Sequence, residues 1–261
     1  MLEGSEARNG PLVGLFVTCL IDLFRPSVGF AAIKLLEQAG ARVEVPQSQT
    51  CCGQPAYNSG DRDAARAIAR HVVATFDQFD YVVAPSGSCA AMIKIHYPTL
   101  LADDSSFAAR AVTLAAKCYE LTSFLLEMMD ARWVDAKNDA SVTYHDCCSA
   151  LRELRIREAP RRLLASVEGL KLVEMAESEV CCGFGGAFSV KYPEVSSAIV
   201  EAKARNIIAS GAACVVSTDL GCLLNIAGKL SRDGSGVRCR HIAEILAGMT
   251  DAPALGEVDE K

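Results

Sequence analysis

The chain has 261 residues, of which 26 are basic, 32 are acidic and 12 are cysteine, and its net charge is −6. An acidic balance provides no cationic face for phosphate groups, which argues against a nucleic-acid partner. Hydrophobic residues make up 51% of the chain, which is enough for a packed core. Charge-free runs such as Asn9–Ile21 and Tyr81–Ile93 are 13 residues long, and none exceeds 16 residues. A membrane-spanning helix needs roughly 20 apolar residues, so the sequence predicts no transmembrane segment.

The first half of the chain alternates short apolar runs with segments of helical spacing. Its predicted strands are Leu12–Thr18, Arg42–Val45 and Tyr81–Ala84. Its predicted helices are Ser27–Gln38, Asp61–Phe79 and Tyr119–Met129. The polar stretch Asp130–Ala140 then joins this half to the second one.

The second half repeats the same order of elements. Its predicted elements are the strands Ser141–Tyr144, Lys171–Met175 and Cys214–Ser217 and the helices Leu151–Ser166 and Pro193–Ser210. Strands that alternate with helices predict an α/β fold with parallel sheets and helices on both faces. We expect one domain over residues 1–130, a second over residues 141–249, and a disordered tail over residues 250–261.

The cysteines are expected to be thiols rather than disulfides. The N-terminal residues lack the basic-then-apolar layout of a secretion signal, so we expect a cytoplasmic protein in a reducing environment. The sequence contains no C-x-x-C pair, which removes the usual zinc-knuckle and thioredoxin patterns. Any metal site must therefore gather its thiols from distant parts of the chain.

An internal repeat organises these thiols. Two Cys-Cys-Gly sequences begin at Cys51 and Cys181, 130 residues apart, and each lies between two further cysteines at matching positions. The repeat-matched cysteines are Cys19, Cys51, Cys52 and Cys89 in the first copy and Cys148, Cys181, Cys182 and Cys222 in the second. Chance does not place four cysteines twice at nearly equal spacing, so the sequence predicts a tandem duplication.

Each copy therefore offers four thiols, including one adjacent pair. Gly53 and Gly183 permit the sharp turn that would let both cysteines of a pair face one metal centre. Soft thiolate ligands select iron–sulfur clusters, copper(I) or zinc. Four thiolates that include an adjacent pair favour an iron–sulfur cluster in each copy, with a tetrahedral zinc site as the alternative.

The other cysteines have a simpler interpretation. Those on apolar, strand-like segments are predicted to be core residues: Cys118, Cys214 and Cys239. Cys147 has no cysteine counterpart, because Thr18 occupies the matching position of the first copy. We therefore expect Cys148 to be the ligand of this pair and Cys147 to have no role in metal binding.

Polar residues near the predicted ligands have two interpretations each. His145 and Asp146 precede Cys148 and could support a cluster through hydrogen bonds, or they could be ordinary buried structural residues. Ser86 and Asp219 each lie three residues before a predicted ligand. Turn capping is the favoured role for both, and an oxygen ligand is the alternative for Asp219.

Five segments together resemble a known family. They are LFVTCLIDL at 15–23, TCCGQPAYNSG at 50–60, APSGSCA at 84–90, YHDCCSALREL at 144–154 and CCGFGGAFSVK at 181–191. These segments resemble the CCG cysteine-rich domain, which occurs twice in the B subunit of heterodisulfide reductase and in iron–sulfur subunits of glycolate and glycerol-3-phosphate dehydrogenases. The resemblance is most specific to the lactate utilisation protein A family.

This resemblance implies two tandemly duplicated, Rossmann-like CCG domains related by pseudo-two-fold symmetry. It implies an iron–sulfur electron-transfer subunit of a cytoplasmic complex that oxidises L-lactate to pyruvate. The complex would contain two partner subunits, at least one with ferredoxin-type clusters. The cluster cysteines of the family carry over to the eight repeat-matched cysteines, which would hold one 4Fe–4S cluster per repeat.

The resemblance is incomplete at the end of each repeat. The heterodisulfide reductase subunit has C-x-x-C there and uses five thiolates for a non-cubane cluster. This chain has Ser86 and Asp219 in place of the first of those two cysteines. The cluster type is therefore open between a cubane and a non-cubane form.

Two other functions stay open on the sequence alone. A thiol–disulfide reductase subunit, like heterodisulfide reductase, would bind substrate sulfur at its cluster and reduce a small disulfide without a partner. A non-enzymatic zinc or interaction module would contain zinc and no acid-labile sulfide.

Overall fold

The computed structural model describes residues 10–257, and within this range the chain forms two α/β halves built on parallel sheets. The first sheet contains β1 (Leu12–Leu15), β2 (Arg42–Glu44), β3 (Tyr81–Ala84) and β4 (Cys118–Glu120). The second contains β5 (Ser141–Tyr144), β6 (Lys171–Leu172), β7 (Cys214–Ser217) and β8 (Arg238–His241). The strand orders β2-β1-β3-β4 and β6-β5-β7-β8 match, which confirms the predicted duplicated, Rossmann-like α/β class.

Helices connect successive strands in both halves. The helices of the first half are α1 (Cys19–Phe24), α2 (Pro26–Gln38), α3 (Gln54–Asn58), α4 (Arg62–Thr75), α5 (Gly87–Ala91), α6 (Tyr97–Leu100), α7 (Ala108–Ala116) and α8 (Leu121–Ser123). Those of the second half are α9 (Glu158–Ala165), α10 (Phe188–Lys191), α11 (Pro193–Ala209), α12 (Leu220–Arg232) and α13 (Ile242–Leu246). Short π-helical turns occupy Met92–His96, Phe124–Met128 and Ser149–Glu153.

One apolar core is shared between the halves. Buried side chains of β1 and β3, such as Val13 and Val83, belong to the same cluster as Val142 and Val216 from β5 and β7. Each half also has a second cluster of its own on the other face of its sheet. Burial of one continuous apolar surface therefore holds the two sheets together.

Several predicted elements are confirmed with small shifts at their ends. Helices α2 and α11 begin or end within one residue of the predicted bounds. The predicted acidic cap of α4 is also present, because the Asp61 carboxylate accepts a hydrogen bond of 3.0 Å from the Ala64 amide. Strand β1 ends at Leu15 rather than at Thr18, since Thr18 has a φ of 72° and caps α1.

Other predicted elements are wrong in part. The predicted helix from Tyr119 begins only at Leu121, because Cys118–Glu120 pairs with β3 as an edge strand. The predicted helix over 151–166 is divided into a π-helical turn and α9, and Arg155 between them has a φ of 59°. Short strands such as β4 depend on a distant pairing partner, which local hydrophobic spacing does not reveal.

The predicted disordered tail packs against the second half over part of its length. The Leu255 amide donates a 2.9 Å hydrogen bond to the Cys239 carbonyl, and Ala254 is buried. Disorder is therefore the wrong prediction for this stretch, while residues 258–261 lie outside the described residues. In the part of the chain that is described, every helix is too short or too polar to cross a bilayer.

Candidate metal centre

The carboxyl ends of the central strands in both sheets open on one shared cavity of about 310 Å³. The cavity lies where parallel α/β sheets usually bind ligands. All eight repeat-matched cysteines line it: Cys19, Cys51, Cys52, Cys89, Cys148, Cys181, Cys182 and Cys222. The sequence reasoning expected one site per repeat, and the fold brings both sets of thiols to the same cavity. Cys147 lines it as well.

The first set of thiols follows three different elements of the first half. Cys19 begins α1, and its thiol neighbours that of Cys51. The sulfur atoms of Cys52 and Cys89 are 3.4 Å apart. Gly53 adopts a φ of 80°, and its amide donates a 3.4 Å hydrogen bond to the Cys51 sulfur. The left-handed glycine thus provides the turn that was predicted after the cysteine pair.

The second set has the same arrangement around its own glycine. Gly183 adopts a φ of 83°, and its amide donates a 3.3 Å hydrogen bond to the Cys181 sulfur. The thiol of Cys181 neighbours Cys148 on one side and Cys182 on the other. Cys182 in turn neighbours Cys222, which is buried in the first turn of α12. Backbone amides aimed at sulfur favour the thiolate form and therefore metal binding.

Neighbouring thiols shift one another's proton affinity. Hydrogen bonds from Cys19 and Cys52 lower the pKa of Cys51 to about 3. In the second half, a hydrogen bond from Cys148 and a weaker effect of one from Cys182 lower the pKa of Cys181 to about 2. Hydrogen bonds from Cys148 and Cys222 likewise lower the pKa of Cys147 to about 6. Neighbouring S–H groups therefore favour a thiolate at Cys51 in the first half and at Cys181 and Cys147 in the second. Metal ligation requires the remaining thiols to release their protons, so a soft metal centre fits this donor set.

Ser86 and Asp219 act as helix caps, as their sequence positions predicted. Ser86 accepts a 3.3 Å hydrogen bond from the Cys89 amide, and Asp219 accepts one of 3.4 Å from the Cys222 amide. Asp219 also reaches across to the other half, where its Oδ2 accepts hydrogen bonds from Ser86 Oγ (3.1 Å) and the Ser88 amide (3.0 Å). This buried carboxylate therefore links the two sets of thiols.

The two polar residues that precede the second set differ in what they contact. Asp146 forms two hydrogen bonds of 2.8 Å with Arg161 and one of 2.8 Å with Ser178, so it stabilises the loop. His145 is fully buried, and neither ring nitrogen has a hydrogen-bond partner. A ring nitrogen of His145 and the sulfur atoms of Cys182 and Cys222 all lie within 4.8 Å of one another. Burial lowers the pKa of His145 to about 4, which keeps the ring neutral at pH 7.

Sequence reasoning missed one buried cation near the second set. Lys203 is fully buried on α11, and its ammonium donates a 3.2 Å hydrogen bond to the Ser178 carbonyl as well as one to the Glu177 carbonyl. It therefore holds the turn that leads into the second cysteine pair. The sequence did contain a signal for this buried cation, because Lys203 has the helical spacing that places it on the same buried face as Val200 and Ile207.

The remaining cysteines lie in the apolar core as predicted. Cys118 and Cys214 occupy strands β4 and β7, and Cys239 occupies β8, with at most 3% of each residue exposed. Burial raises the pKa of the Cys118 and Cys214 thiols to about 12, so both stay protonated and apolar. Cys147 differs from these three, because its side chain lines the cavity.

Comparison with known proteins agrees with the duplicated fold. A profile of the CCG cysteine-rich domain matches residues 13–94 and 142–227. The chain is 47% identical over 234 residues to lactate utilization protein A of Shouchella clausii, a match that covers 90% of this chain and 98% of the relative. It is 48% identical over 238 residues to the protein of the same name from an Exiguobacterium species, covering 90% and 97% of the two chains.

The chain belongs to the lactate utilization protein A family, within the CCG cysteine-rich domain proteins. This membership confirms the resemblance found in the sequence. A solved structure of a hypothetical protein from Helicobacter pylori shares the fold with a TM-score of 0.64 at 14% identity. That match covers 95% of this chain and 52% of the other.

Proposed function

We propose that this chain is an iron–sulfur electron-transfer subunit of a cytoplasmic complex that oxidises L-lactate to pyruvate. Each half would hold one 4Fe–4S centre, through Cys19, Cys51, Cys52 and Cys89 in the first half and Cys148, Cys181, Cys182 and Cys222 in the second. The observation that carries this proposal is the convergence of both cysteine sets on one cavity. The lactate role is supported by the name of relatives that are 47–48% identical to this chain.

The donor set supports iron–sulfur centres over isolated metal ions. All the cysteines of the described residues are free thiols, and those of the two sets are at least half-buried. Amides of Gly53 and Gly183 already point at sulfur, as they would to hold an anionic sulfide core. Oxidation of lactate releases two electrons and two protons, and an iron–sulfur centre, when bound, carries electrons one at a time.

The chain itself contributes binding, orientation and exclusion of water. Burial of Cys52 and Cys182 shields one side of each centre from solvent, while Cys51 and Cys181 stay partly exposed. Among the described residues, no lysine, arginine or histidine lines the cavity, so no cationic side chain is present there to pair with a carboxylate substrate. We therefore assign lactate binding to a partner. The proposed complex contains two partner subunits, at least one with ferredoxin-type clusters.

Metal and sulfide content tests this proposal directly. Protein purified without oxygen should contain iron and acid-labile sulfide. Cys52→Ser and Cys182→Ser should each remove one centre and about half of the iron, because each removes one thiolate of a four-thiolate set. The controls are Cys118→Ala and Cys214→Ala, one buried cysteine of each half that lies outside the cavity, and they should retain the wild-type iron content.

Two results would contradict the proposal. Zinc without labile sulfide would indicate a structural metal site in place of redox centres. Full iron content in both serine variants would show that the assigned thiols are not ligands. Circular dichroism spectra of the variants should match the wild type, which separates loss of a ligand from loss of the fold.

A further inference from the structure

The second half contains one cavity-lining thiol that the first half lacks. The loop after β5 places Cys147 where the loop after β1 has Thr18. Thr18 adopts a φ of 72°, and its hydroxyl accepts a 3.5 Å hydrogen bond from the Ile21 amide, so it serves as the cap of α1. Cys147 does not share this left-handed conformation, although both residues line the cavity.

The thiol of Cys147 has cysteine neighbours on both sides. It lies next to the thiols of Cys148 and Cys222. Because Cys148, Cys181, Cys182 and Cys222 already form a chain of neighbours, Cys147 closes that chain into a ring of five sulfur atoms. The four thiols of the first half form only an open chain, from Cys19 at one end to Cys89 at the other.

Other donor atoms lie close to Cys147 and Cys222 in this ring of five sulfur atoms. The sulfur atoms of Cys147 and Cys222 and a carboxylate oxygen of Asp219 all lie within 4.8 Å of one another. The Cys222 sulfur also belongs to the second such group, with Cys182 and the unpartnered ring of His145. Donor atoms this close to one another can share a single metal centre. Cys147 also packs in the apolar cluster of the second half, as do the assigned ligands Cys182 and Cys222.

We propose that Cys147 is a fifth sulfur ligand of the second centre, which makes the two centres of this chain chemically different. This inference rests on the proposed function, since it requires that the second half binds an iron–sulfur centre. Ligation would form a bond between iron and the Cys147 sulfur, and the thiol proton would pass to solvent. The first half has Thr18 in place of Cys147, so the first centre would have only four thiolate ligands.

The consequence is a functional difference between the two halves. The first centre would have four sulfur ligands beside an apolar residue, because Phe16 takes the place of His145. The second centre would have five sulfur ligands beside a neutral imidazole and the Asp219 carboxylate. Ligand set and nearby polar groups determine the reduction potential of an iron–sulfur centre, so the two centres should differ in potential.

Variants that isolate each centre test the role of Cys147. In the Cys52→Ser background, which keeps only the second centre, adding Cys147→Ser should change the EPR g-values. It should also speed iron release to a chelator at least tenfold. The reduction equilibrium should shift at least tenfold toward the oxidised form, about 59 mV for one electron, because serine oxygen is a harder donor than thiolate. In a Cys181→Ser/Cys182→Ser background, which retains only three of the five proposed ligands and should lose the second centre, Cys147→Ser should leave the first centre unchanged.

The matched control uses the equivalent residue of the first half. Thr18→Ser in the Cys181→Ser/Cys182→Ser background keeps the capping hydroxyl and should leave both the EPR signal and the release rate of the first centre unchanged. If Cys147→Ser leaves the signal, the release rate and the potential of the second centre unchanged, Cys147 is not a ligand, while the proposed function stands. If wild-type protein contains no iron or sulfide, the proposed function fails and this inference fails with it. Should Cys147→Ser not fold, Cys147→Ala provides the same comparison.

Discussion

At the scale of single residues, the two matching glycines have different surroundings. Gly53 and Gly183 have nearly the same φ, 80° and 83°, and each follows a cysteine pair. A Cβ atom on Gly53 would lie 3.2 Å from the flexible side chain of Ile68. On Gly183 it would lie 2.7 Å from the Ser196 carbonyl oxygen, which belongs to the backbone. The second cysteine loop is therefore packed more tightly against its helix than the first.

This difference leads to a prediction about Gly183→Ala. The left-handed conformation alone should cost about 1–2 kcal/mol of unfolding free energy in either loop. The backbone clash at Gly183 should cost about 1–3 kcal/mol more. Gly211→Ala is the matched control, because Gly211 has a φ of 70° and open space around its Cβ position. Denaturant unfolding should rank Gly183→Ala as clearly less stable than Gly53→Ala and Gly211→Ala, and equal losses would contradict the clash.

At the scale of elements, the edge strand β4 ends in a buried acid that caps the next helix. The Glu120 carboxylate accepts hydrogen bonds of 2.9 Å and 3.3 Å from the Thr122 and Ser123 amides. Burial nevertheless raises its pKa to about 7, from an ordinary value of 4.5. The folded state therefore holds this proton more tightly than the unfolded state does. Stability from this group is complete below about pH 4.5 and declines as the pH rises through 7.

The pH dependence should disappear when Glu120 can no longer ionise. Glu120→Gln retains an oxygen acceptor for the helix amides, so we expect it to be more stable than the wild type at pH 8, by up to about 3 kcal/mol. At pH 4.5 the two proteins should be nearly equal. Thermal unfolding at both pH values measures this difference, with the exposed Glu168→Gln as the control. A variant that is less stable by the same amount at both pH values would mean that Glu120 is ionised in the fold.

At the scale of the whole molecule, charged contacts join the two halves beside the shared apolar core. The Arg25 guanidinium of the first half and a Ser27 hydroxyl each donate a 2.8 Å hydrogen bond to the fully buried Glu244 of the second half. Lys34 donates a 2.7 Å hydrogen bond to the Ala247 carbonyl across the same boundary. Packing and paired charges hold the two halves together. This fixed arrangement brings both cysteine sets to one cavity.

Because both cysteine sets line one cavity, we expect growth on L-lactate to require both halves of the chain. In cells that lack this gene and other lactate dehydrogenases, the wild-type chain should restore growth on L-lactate. Cys52→Ser and Cys182→Ser should each abolish this growth, because the proposed electron path runs through two centres and fails when one is lost. Cys214→Ala should restore growth like the wild type and serves as the control. Full growth with both serine variants would contradict a role of these thiols in lactate oxidation.

The sequence by itself determined the properties that depend on residue type and spacing. The repeated cysteines, the glycine after each pair and the long amphipathic helices are local or periodic signals, and the predicted α/β class and bounds of α2 and α11 followed from them. Such features need no knowledge of which distant segments meet.

Only the tertiary structure decided which atoms lie together. The pairing of β4, the single cavity formed by both halves, the bridging role of Asp219 and the place of Cys147 beside Cys222 all depend on contacts between residues far apart in the chain. Matching the two copies by position gave Cys147 no role because Thr18 is its counterpart. The distances around the Cys147 sulfur atom support a role as a ligand, because ligation depends on separation in space and not on position in the sequence.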